Sequence, residues 1–179
     1  MRKILLLFVA LALVIPASSQ AAKNHTFGSN SVACGENGTI SWTPTTLWPP
    51  NHKLHDITFT YTDPDGGDVV LEITAKPHSD TLEDGTEMAG TGNTDPATDQ
   101  LGGMNSDSDG SVDVVGNARG ERSGQSKDGR TYSFEYIAMN DSDGDMMNDD
   151  GCMSDPEDDS DDLTVFVPHD CRAGACKPS

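Results

Sequence analysis

The 179-residue chain has 30 acidic and 11 basic residues, which gives a formal net charge of −19 at pH 7. A nucleic-acid partner requires a basic face, which this balance does not provide, and an anionic membrane surface is disfavoured for the same reason. Repulsion between like charges destabilises a compact state unless cations neutralise it. We therefore expect a protein kept soluble by its charge, or one whose carboxylates bind a hard cation, or both.

The first residues have the pattern of a secretory signal peptide. Arg2 and Lys3 precede an apolar run over residues 4–15, and small residues then lead to Ala21 and Ala22. The run is shorter than the roughly 20 residues that span a bilayer, so a cleaved signal is favoured over a membrane anchor. We predict export to the periplasm, the cell surface or the medium, with cleavage after Ala21 or Ala22 and no membrane insertion of the mature chain.

All the cysteines follow the predicted cleavage point: Cys34, Cys152, Cys171 and Cys176. An even number of cysteines in an oxidising compartment favours disulfides, and the spacing is not that of a zinc site. Three pairings are open. The simplest joins Cys171 to Cys176 across a short loop, which leaves Cys34 to pair with Cys152 and tie the start of the domain to a late acidic insert.

Apolar and polar residues alternate in several short segments, and no segment keeps a helical period over three turns. Such alternation predicts half-buried strands. The predicted strands are residues 39–43, 54–62, 68–76, 111–121, 130–139 and 163–168, with a seventh candidate within 79–104. About seven strands without helices predict an all-β fold, a sandwich of two antiparallel sheets with long acidic loops.

The connections between the predicted strands contain most of the acidic residues. Two long connections cover residues 77–110 and 140–162, and eleven of the 22 residues from 141 to 162 are Asp or Glu. Loops of this length are usually functional or disordered. The predicted organisation is a signal peptide at residues 1–22, a lead-in at 23–38, the sandwich at 39–171 and a short tail at 172–179.

Several phrases resemble, in this order, a module of bacterial secreted proteins. They are LWPPNHKL (47–54), TYTDPDGGD (60–68), ARGERSG (118–124), DGRTYSFEYIAMND (128–141) and FVPHD (166–170). The resemblance covers about residues 40–171 and implies an immunoglobulin-like or cadherin-like β-sandwich, without implying a particular activity. This sequence departs from the family pattern by inserting the acidic stretch 143–162 before the last strand.

The phrase WPPNHK at residues 48–53 favours a structural corner. Its two prolines remove backbone donors and impose an extended path, which suits a crossover between sheets. We predict that Trp48 packs into the core and that Asn51 and His52 fix the bend by hydrogen bonds. The alternative is a histidine-based site that also uses His55.

Three aspartate-rich turns are candidate calcium sites, because carboxylates at alternate positions of a tight turn converge on one point and calcium takes 6–8 oxygen ligands. The turn from residue 141 resembles the calcium repeat of thrombospondin type 3. It is not an EF-hand loop, since Met146 and Cys152 replace the glycine and the bidentate acid of that loop. The candidate ligands are Asp141, Asp143, Asp145 and Asp149 in one turn, Asp107, Asp109 and Asp113 in another, Asp63, Asp65 and Asp68 in a third, and Glu121 as an addition at an end of the sandwich.

The alternative for these turns is a solvated acidic surface, which is what most acidic runs form. We expect this second interpretation to hold for the tract over residues 155–162.

No catalytic motif is recognisable, and Ser123 has no nucleophile elbow around it. The function we expect is that of a secreted, non-catalytic, calcium-stabilised module in an extracellular binding, adhesion or structural role, with an unknown partner. One alternative is an extracellular hydrolase that uses acidic residues of the 77–110 connection, such as Glu83 and Asp84. Another is an acidic coat protein that scavenges cations through many weak sites.

Overall fold

Ten β-strands form in the residues that this computed structural model describes, which are 28–76, 99–121, 129–141 and 150–168. The strands are β1 (Asn30–Cys34), β2 (Gly38–Thr43), β3 (Leu54–Thr62), β4 (Asp68–Ala75), β5 (Gln100–Leu101), β6 (Gly103–Asp107), β7 (Ser111–Arg119), β8 (Arg130–Asp141), β9 (Asp150–Met153) and β10 (Leu163–Val167). A short 3₁₀ helix, Asp159–Asp161, precedes β10. The predicted signal peptide and the cysteines at 171 and 176 lie outside the described residues.

The strands pair into two antiparallel sheets. Sheet I has the order β1-β2-β3-β7-β5, and sheet II has the order β10-β8-β4-β6. Strand β8 is long enough to pair with β10 along its first half and with β9 along its second half, on the same edge. The predicted all-β sandwich of two antiparallel sheets is therefore confirmed. In the described residues there is no helix long and apolar enough to cross a membrane.

The six strands predicted from apolar alternation are all present, with ends that differ by at most two residues. The prediction missed β1, β6 and β9 and did not resolve β5, so the described strands number more than seven. These strands are short or polar: their sequences are NSVAC, GMNSD, DGCM and QL. Strand β1 lies within the segment predicted to be a lead-in, but it pairs along its whole length with β2, so the sheet begins before residue 39.

The core fills the space between the two sheets. In β8 every second residue from Arg130 to Asn140 is buried, which gives the period of two expected for a strand with one inward face. Phe59 of sheet I and Phe134 of sheet II meet with ring centroids 5.1 Å apart. The indole Nε1 of the buried Trp42 donates to the carbonyl oxygen of Thr164 at 2.9 Å and so joins the sheets across their edge.

Trp48 is not a core residue, contrary to the prediction. It is only half-buried, whereas its neighbour Leu47 is fully buried. The reason is that the chain around Leu47 pairs with the last strand: Leu47 N–H donates to the carbonyl of Phe166 at 2.9 Å. This pairing turns the leucine inward and leaves the tryptophan on the rim.

A disulfide between Cys34 and Cys152 links β1 of sheet I to β9 of sheet II, with Cα atoms 5.1 Å apart. This predicted pairing is confirmed. The bond closes a loop with a sequence separation of 118 residues. Closing a loop of that length removes chain entropy from the unfolded state worth about 4–5 kcal/mol in the chain-entropy model.

Replacing Phe134 by alanine should lower the free energy of unfolding by about 3–5 kcal/mol, because it deletes a ring buried between the sheets and leaves a cavity. Urea unfolding followed by tryptophan fluorescence measures the loss. The matched control is Val115→Ala on the outer face of sheet I, which should change stability by no more than about 0.5 kcal/mol. Equal losses in the two variants would contradict the assignment of the core.

Candidate functional site

The first acidic turn, between β3 and β4, is built on the buried carboxylate of Asp63. Its Oδ1 accepts the backbone N–H of Asp65 at 2.9 Å, and its Oδ2 accepts the hydroxyl of Tyr61 at 3.1 Å. Gly66 and Gly67 follow with φ of 78° and 94°, a conformation that glycine adopts without strain. Asp63 therefore holds the turn from inside, which leaves Asp65 and Asp68 exposed.

The second acidic turn, between β6 and β7, packs directly on the first. Asp63 N–H donates to the carbonyl of Gly110 at 2.8 Å, and Gly110 N–H donates to the carbonyl of Gly67 at 3.0 Å. Gly110 has φ 78°, and a Cβ at this position would lie 2.7 Å from the carbonyl oxygen of Asp63. The two turns are thus locked together through their backbones at a distance that only glycine permits.

The carboxylates of the second turn cap their own backbone. Asp107 Oδ1 accepts Ser108 N–H at 2.7 Å, and Asp109 Oδ1 accepts Ser111 N–H at 3.1 Å. Aspartates in such turns combine this local capping with outward-facing charge.

Two aspartates lie opposite each other on sheet II, beside these turns. Asp68 at the start of β4 is directly opposite Asp141 at the end of β8. Side chains directly opposite each other on antiparallel strands have Cβ atoms about 4.5–5.5 Å apart, and like charges in that position are destabilising. Asp68 also lines a surface depression of about 510 Å³ together with Asp107 and Ser108.

We call this part of the sandwich the acidic end. Among the described residues it holds Glu36, Asp63, Asp65, Asp68, Asp107, Asp109 and Asp141. The described Lys and Arg residues are all at the opposite end of the strands: Lys53, Lys76, Arg119 and Arg130. A neutral donor, the amide of Asn37, reaches Asp65 Oδ2 at 3.1 Å. The described part of the acidic end therefore gathers carboxylates away from the described Lys and Arg residues.

The structure brings together six of the predicted calcium ligands at the acidic end and separates two others. Asp113 lies on the outer face of sheet I, where its Oδ1 accepts the hydroxyl of Thr60 at 2.6 Å. Glu121 follows β7 at the opposite end. Asp143, Asp145 and Asp149 lie outside the described residues. Within the described ranges, no three His, Cys, Asp or Glu side chains are grouped closely enough to hold a metal ion.

The opposite end contains a buried ion-pair network centred on Asp99. Asp99 Oδ1 accepts Arg119 Nε at 2.6 Å, and its Oδ2 lies 3.4 Å from Nη1 of the fully buried Arg130. Arg130 also donates to the hydroxyl of Tyr132 at 3.3 Å. Sequence reasoning missed Asp99, because nothing in its neighbours distinguishes it from the other aspartates of a long acidic connection.

Glu121 extends this network to the WPPNHK corner. Its carboxylate is only 2% exposed and lies 3.4 Å from His52 Nδ1 and 3.8 Å from Arg119 Nε. His52 N–H donates to the carbonyl of Gly120 at 3.0 Å, and Asn51 Oδ1 accepts Lys53 N–H at 3.1 Å. The prediction that Asn51 and His52 fix this bend by hydrogen bonds is confirmed.

Residues 155–161 are exposed, as expected for solvated charge, but Asp162 at the end of the tract is buried. Lys76 Nζ lies 2.7 Å from Asp159, 3.1 Å from the buried Asp162 and 3.5 Å from Glu135. The hydrogen bond to Asp159 is the main cause that raises the pKa of Lys76. Asp158 caps the 3₁₀ helix by accepting Ser160 N–H. The tract therefore anchors the connection before β10 to the end of β4.

The fold and these two ends define the chain as an acidic, all-β antiparallel sandwich. No protein-family model, no curated protein sequence and no solved structure matches it.

Replacing Asp99 by alanine should lower the free energy of unfolding by about 3–5 kcal/mol, because it removes a buried carboxylate that pairs with both Arg119 and the buried Arg130. Chemical denaturation measures the change. The control is Asp56→Ala, which removes an exposed carboxylate that accepts a bond from Asn117 on the outer face of sheet I. A loss no larger than that of the control would show that the network contributes little.

Stability should also fall as the pH rises above about 10, the ordinary pKa of tyrosine. Burial raises the pKa of Tyr132, so the folded protein keeps a proton that the unfolded chain loses. The contribution of this group is complete below about pH 10 and is lost as the pH rises through the folded-state pKa, with a slope of up to about 1.4 kcal/mol per pH unit. Urea unfolding between pH 8 and 11 measures the slope, which Tyr132→Phe should reduce and Val115→Ala should not. Identical slopes in wild type and Tyr132→Phe would contradict this role.

Proposed function

We propose that the protein is an exported, non-catalytic β-sandwich module, immunoglobulin-like or cadherin-like, which calcium stabilises at the acidic end and which has an extracellular binding, adhesion or structural role. The observation that carries the proposal is the gathering of the acidic turns at one end of the sandwich, away from every Lys and Arg of the described residues. Such an arrangement lowers the stability of the fold unless a cation neutralises it.

The available ligands favour calcium over other cations. Carboxylate, hydroxyl and backbone oxygens are hard donors, and calcium accepts 6–8 of them in flexible geometry. Asp68 and Asp107 line the same depression, and Asp141 lies directly opposite Asp68. The connection that leaves β8 at Asp141 and enters β9 at Asp150 starts and ends at the acidic end, and its sequence supplies Asp143, Asp145 and Asp149. Carboxylates supply the hard oxygen donors that calcium requires.

The disulfide supports the extracellular part of the proposal. It joins β1 and β9, and β9 starts at the acidic end. Disulfides persist in oxidising compartments, and the same compartments are those reached through a signal peptide. A disulfide-stapled edge next to clustered carboxylates is consistent with a module that works outside the cytoplasm.

The buried charged groups at the opposite end support a structural interpretation of that end. Asp99 and Glu121 are both engaged with arginine or histidine side chains that also contact the backbone of the WPPNHK corner. Groups held this way orient loops and stabilise the fold. They account for the corner motifs without a reaction.

Calcium should raise the melting temperature by about 5–10 °C at a concentration of 100 times its dissociation constant, since a ligand bound only to the native state adds about 2.7 kcal/mol of stability. Differential scanning calorimetry with calcium and with a chelator measures the shift. The double variant Asp68→Asn with Asp141→Asn should lose most of it, because it removes the opposed carboxylates.

The matched control is Asp113→Asn, which changes an aspartate on the outer face of sheet I and should keep the full shift. A melting temperature that is the same with calcium and with chelator would overturn the calcium part of the proposal. If the double variant and Asp113→Asn lose the same part of the calcium-dependent rise in melting temperature, the cation is not bound at Asp68 and Asp141.

A further inference from the structure

The outer faces of the two sheets differ in how their exposed apolar side chains are arranged. On sheet I, Val115 is opposite Thr58, Leu101 is opposite Asn117 and Leu54 is opposite Arg119, so each exposed apolar group has a polar side chain directly opposite, and Leu101 and Val115 meet only as diagonal neighbours. On sheet II, the exposed apolar side chains are direct or diagonal neighbours. Together with the half-buried Val70 they form a set that we call the methionine face, which consists of Val70, Met104, Ile137, Met139 and Met153.

The strand register makes the methionine face continuous. Ile137 is directly opposite Met153 on one side, and Met139 is directly opposite Val70 on the other. Met104 is a diagonal neighbour of Val70 across the β4–β6 pair. The exposed fractions are 38% for Ile137, 40% for Met139, 67% for Met153 and 70% for Met104. Contiguous apolar groups of this kind on a soluble protein mark an interaction surface.

Carboxylates surround and interrupt the methionine face. Glu72 is placed between Ile137 and Met104 in one cross-strand row. By the alternation of β4 and β8, Asp68, Asp141 and Glu135 project from the same outer face. The described cation nearest to this face, Lys76, is already bound to Glu135, Asp159 and Asp162. The face is therefore apolar at its centre and negative around it.

The negative charge around the methionine face determines which kind of partner can bind there. A second copy of the chain would bring the same carboxylates against themselves, at a formal net charge of −19 for each copy. An anionic lipid surface would be repelled in the same way. A segment with apolar side chains on one face and Lys or Arg beside them would cover the apolar groups and pair with the carboxylates. Methionine side chains are flexible and adapt to such segments without a fixed partner shape.

We propose that the methionine face binds a cationic amphipathic polypeptide segment. Its apolar side chains cover Ile137, Met139 and Met153, and its basic side chains pair with Glu72 and the neighbouring carboxylates. The inference rests on the binding role proposed above and names the class of partner. It concerns the outer face of sheet II, whereas the calcium proposal concerns the acidic end.

The test uses the full-length mature protein at a fixed calcium concentration and a synthetic amphipathic helix of leucine and lysine as the probe. Fluorescence anisotropy should show binding, and a leucine–glutamate helix with the same apolar face should not bind. Ile137→Ser combined with Met139→Ser should weaken binding about tenfold or more, because exposed apolar anchors contribute most of the affinity of such interfaces. Glu72→Lys should weaken it as well, and raising the salt from about 0.1 M to about 0.5 M should weaken wild-type binding.

The matched control is Val115→Ser, which removes an apolar side chain of 57% exposure from the outer face of sheet I and should leave the affinity within about twofold. Because Ile137, Met139 and Glu72 are exposed, their variants should keep the wild-type melting temperature, which confirms that they fold. Equal binding by the double variant and wild type, or equal binding of the two helices, would overturn the proposal.

Two further outcomes would assign the face to another occupant and so overturn the proposal. One is a dimer of the wild-type protein in sedimentation equilibrium that is lost in the Ile137→Ser, Met139→Ser double variant. The other is adsorption to zwitterionic phosphatidylcholine vesicles that requires Ile137 and Met139, in a protein that does not bind the leucine–lysine helix. Calorimetry of the double variant with calcium and with chelator separates the two proposals. If calcium raises the melting temperature but the helix does not bind, the proposed calcium stabilisation stands and only the proposed class of partner is wrong.

Discussion

Antiparallel pairing is the constraint on which the charge distribution of this protein depends. A connection that reverses the direction of the chain, within one sheet or from one sheet to the other, joins strand ends at the same end of the sandwich. The connections β3–β4, β6–β7 and β8–β9 share one end for this reason, and the backbone bonds between Asp63 and Gly110 hold two of them in contact. Their aspartates therefore accumulate at one place, although they are up to about 80 positions apart in the sequence.

At the opposite end, buried acidic side chains form ion pairs with arginines of the same chain. Asp99 contacts both Arg119 and Arg130, and these arginines come from the end of β7 and the start of β8. A buried pair of this kind is costly to break, because a charge removed from water loses a close partner of opposite sign. One end of the sandwich thus pairs its buried Asp99 with arginine side chains, and the other gathers acidic turns away from the described Lys and Arg residues. This difference between the two ends is the reason that we propose a cation site at the acidic end.

Sequence patterns predicted the elements whose side chains alternate, and they failed where the neighbouring chain decides the structure. Strands β3, β4, β7, β8 and β10 and the pairing of Cys34 with Cys152 follow from alternation and cysteine arithmetic. Strand β6 has no apolar alternation and exists because β4 offers it an edge. The positions of Asp113 and Glu121 depend on the register and length of β7, which spacing alone does not specify. The core position of Leu47 depends on its bond to β10.

The two proposed binding events are coupled, because Asp68 and Asp141 belong both to the acidic end and to the border of the methionine face. Calcium at these carboxylates would neutralise part of the negative charge that attracts a cationic segment. A basic side chain paired with them would in turn compete with calcium for the same oxygens. Since coupling between two ligands is reciprocal, each would lower the affinity for the other by the same factor. Glu72 and Glu135 lie away from the acidic turns, so a segment that pairs with them alone would escape this competition. The strength of the coupling therefore reports how closely the bound segment approaches the acidic end.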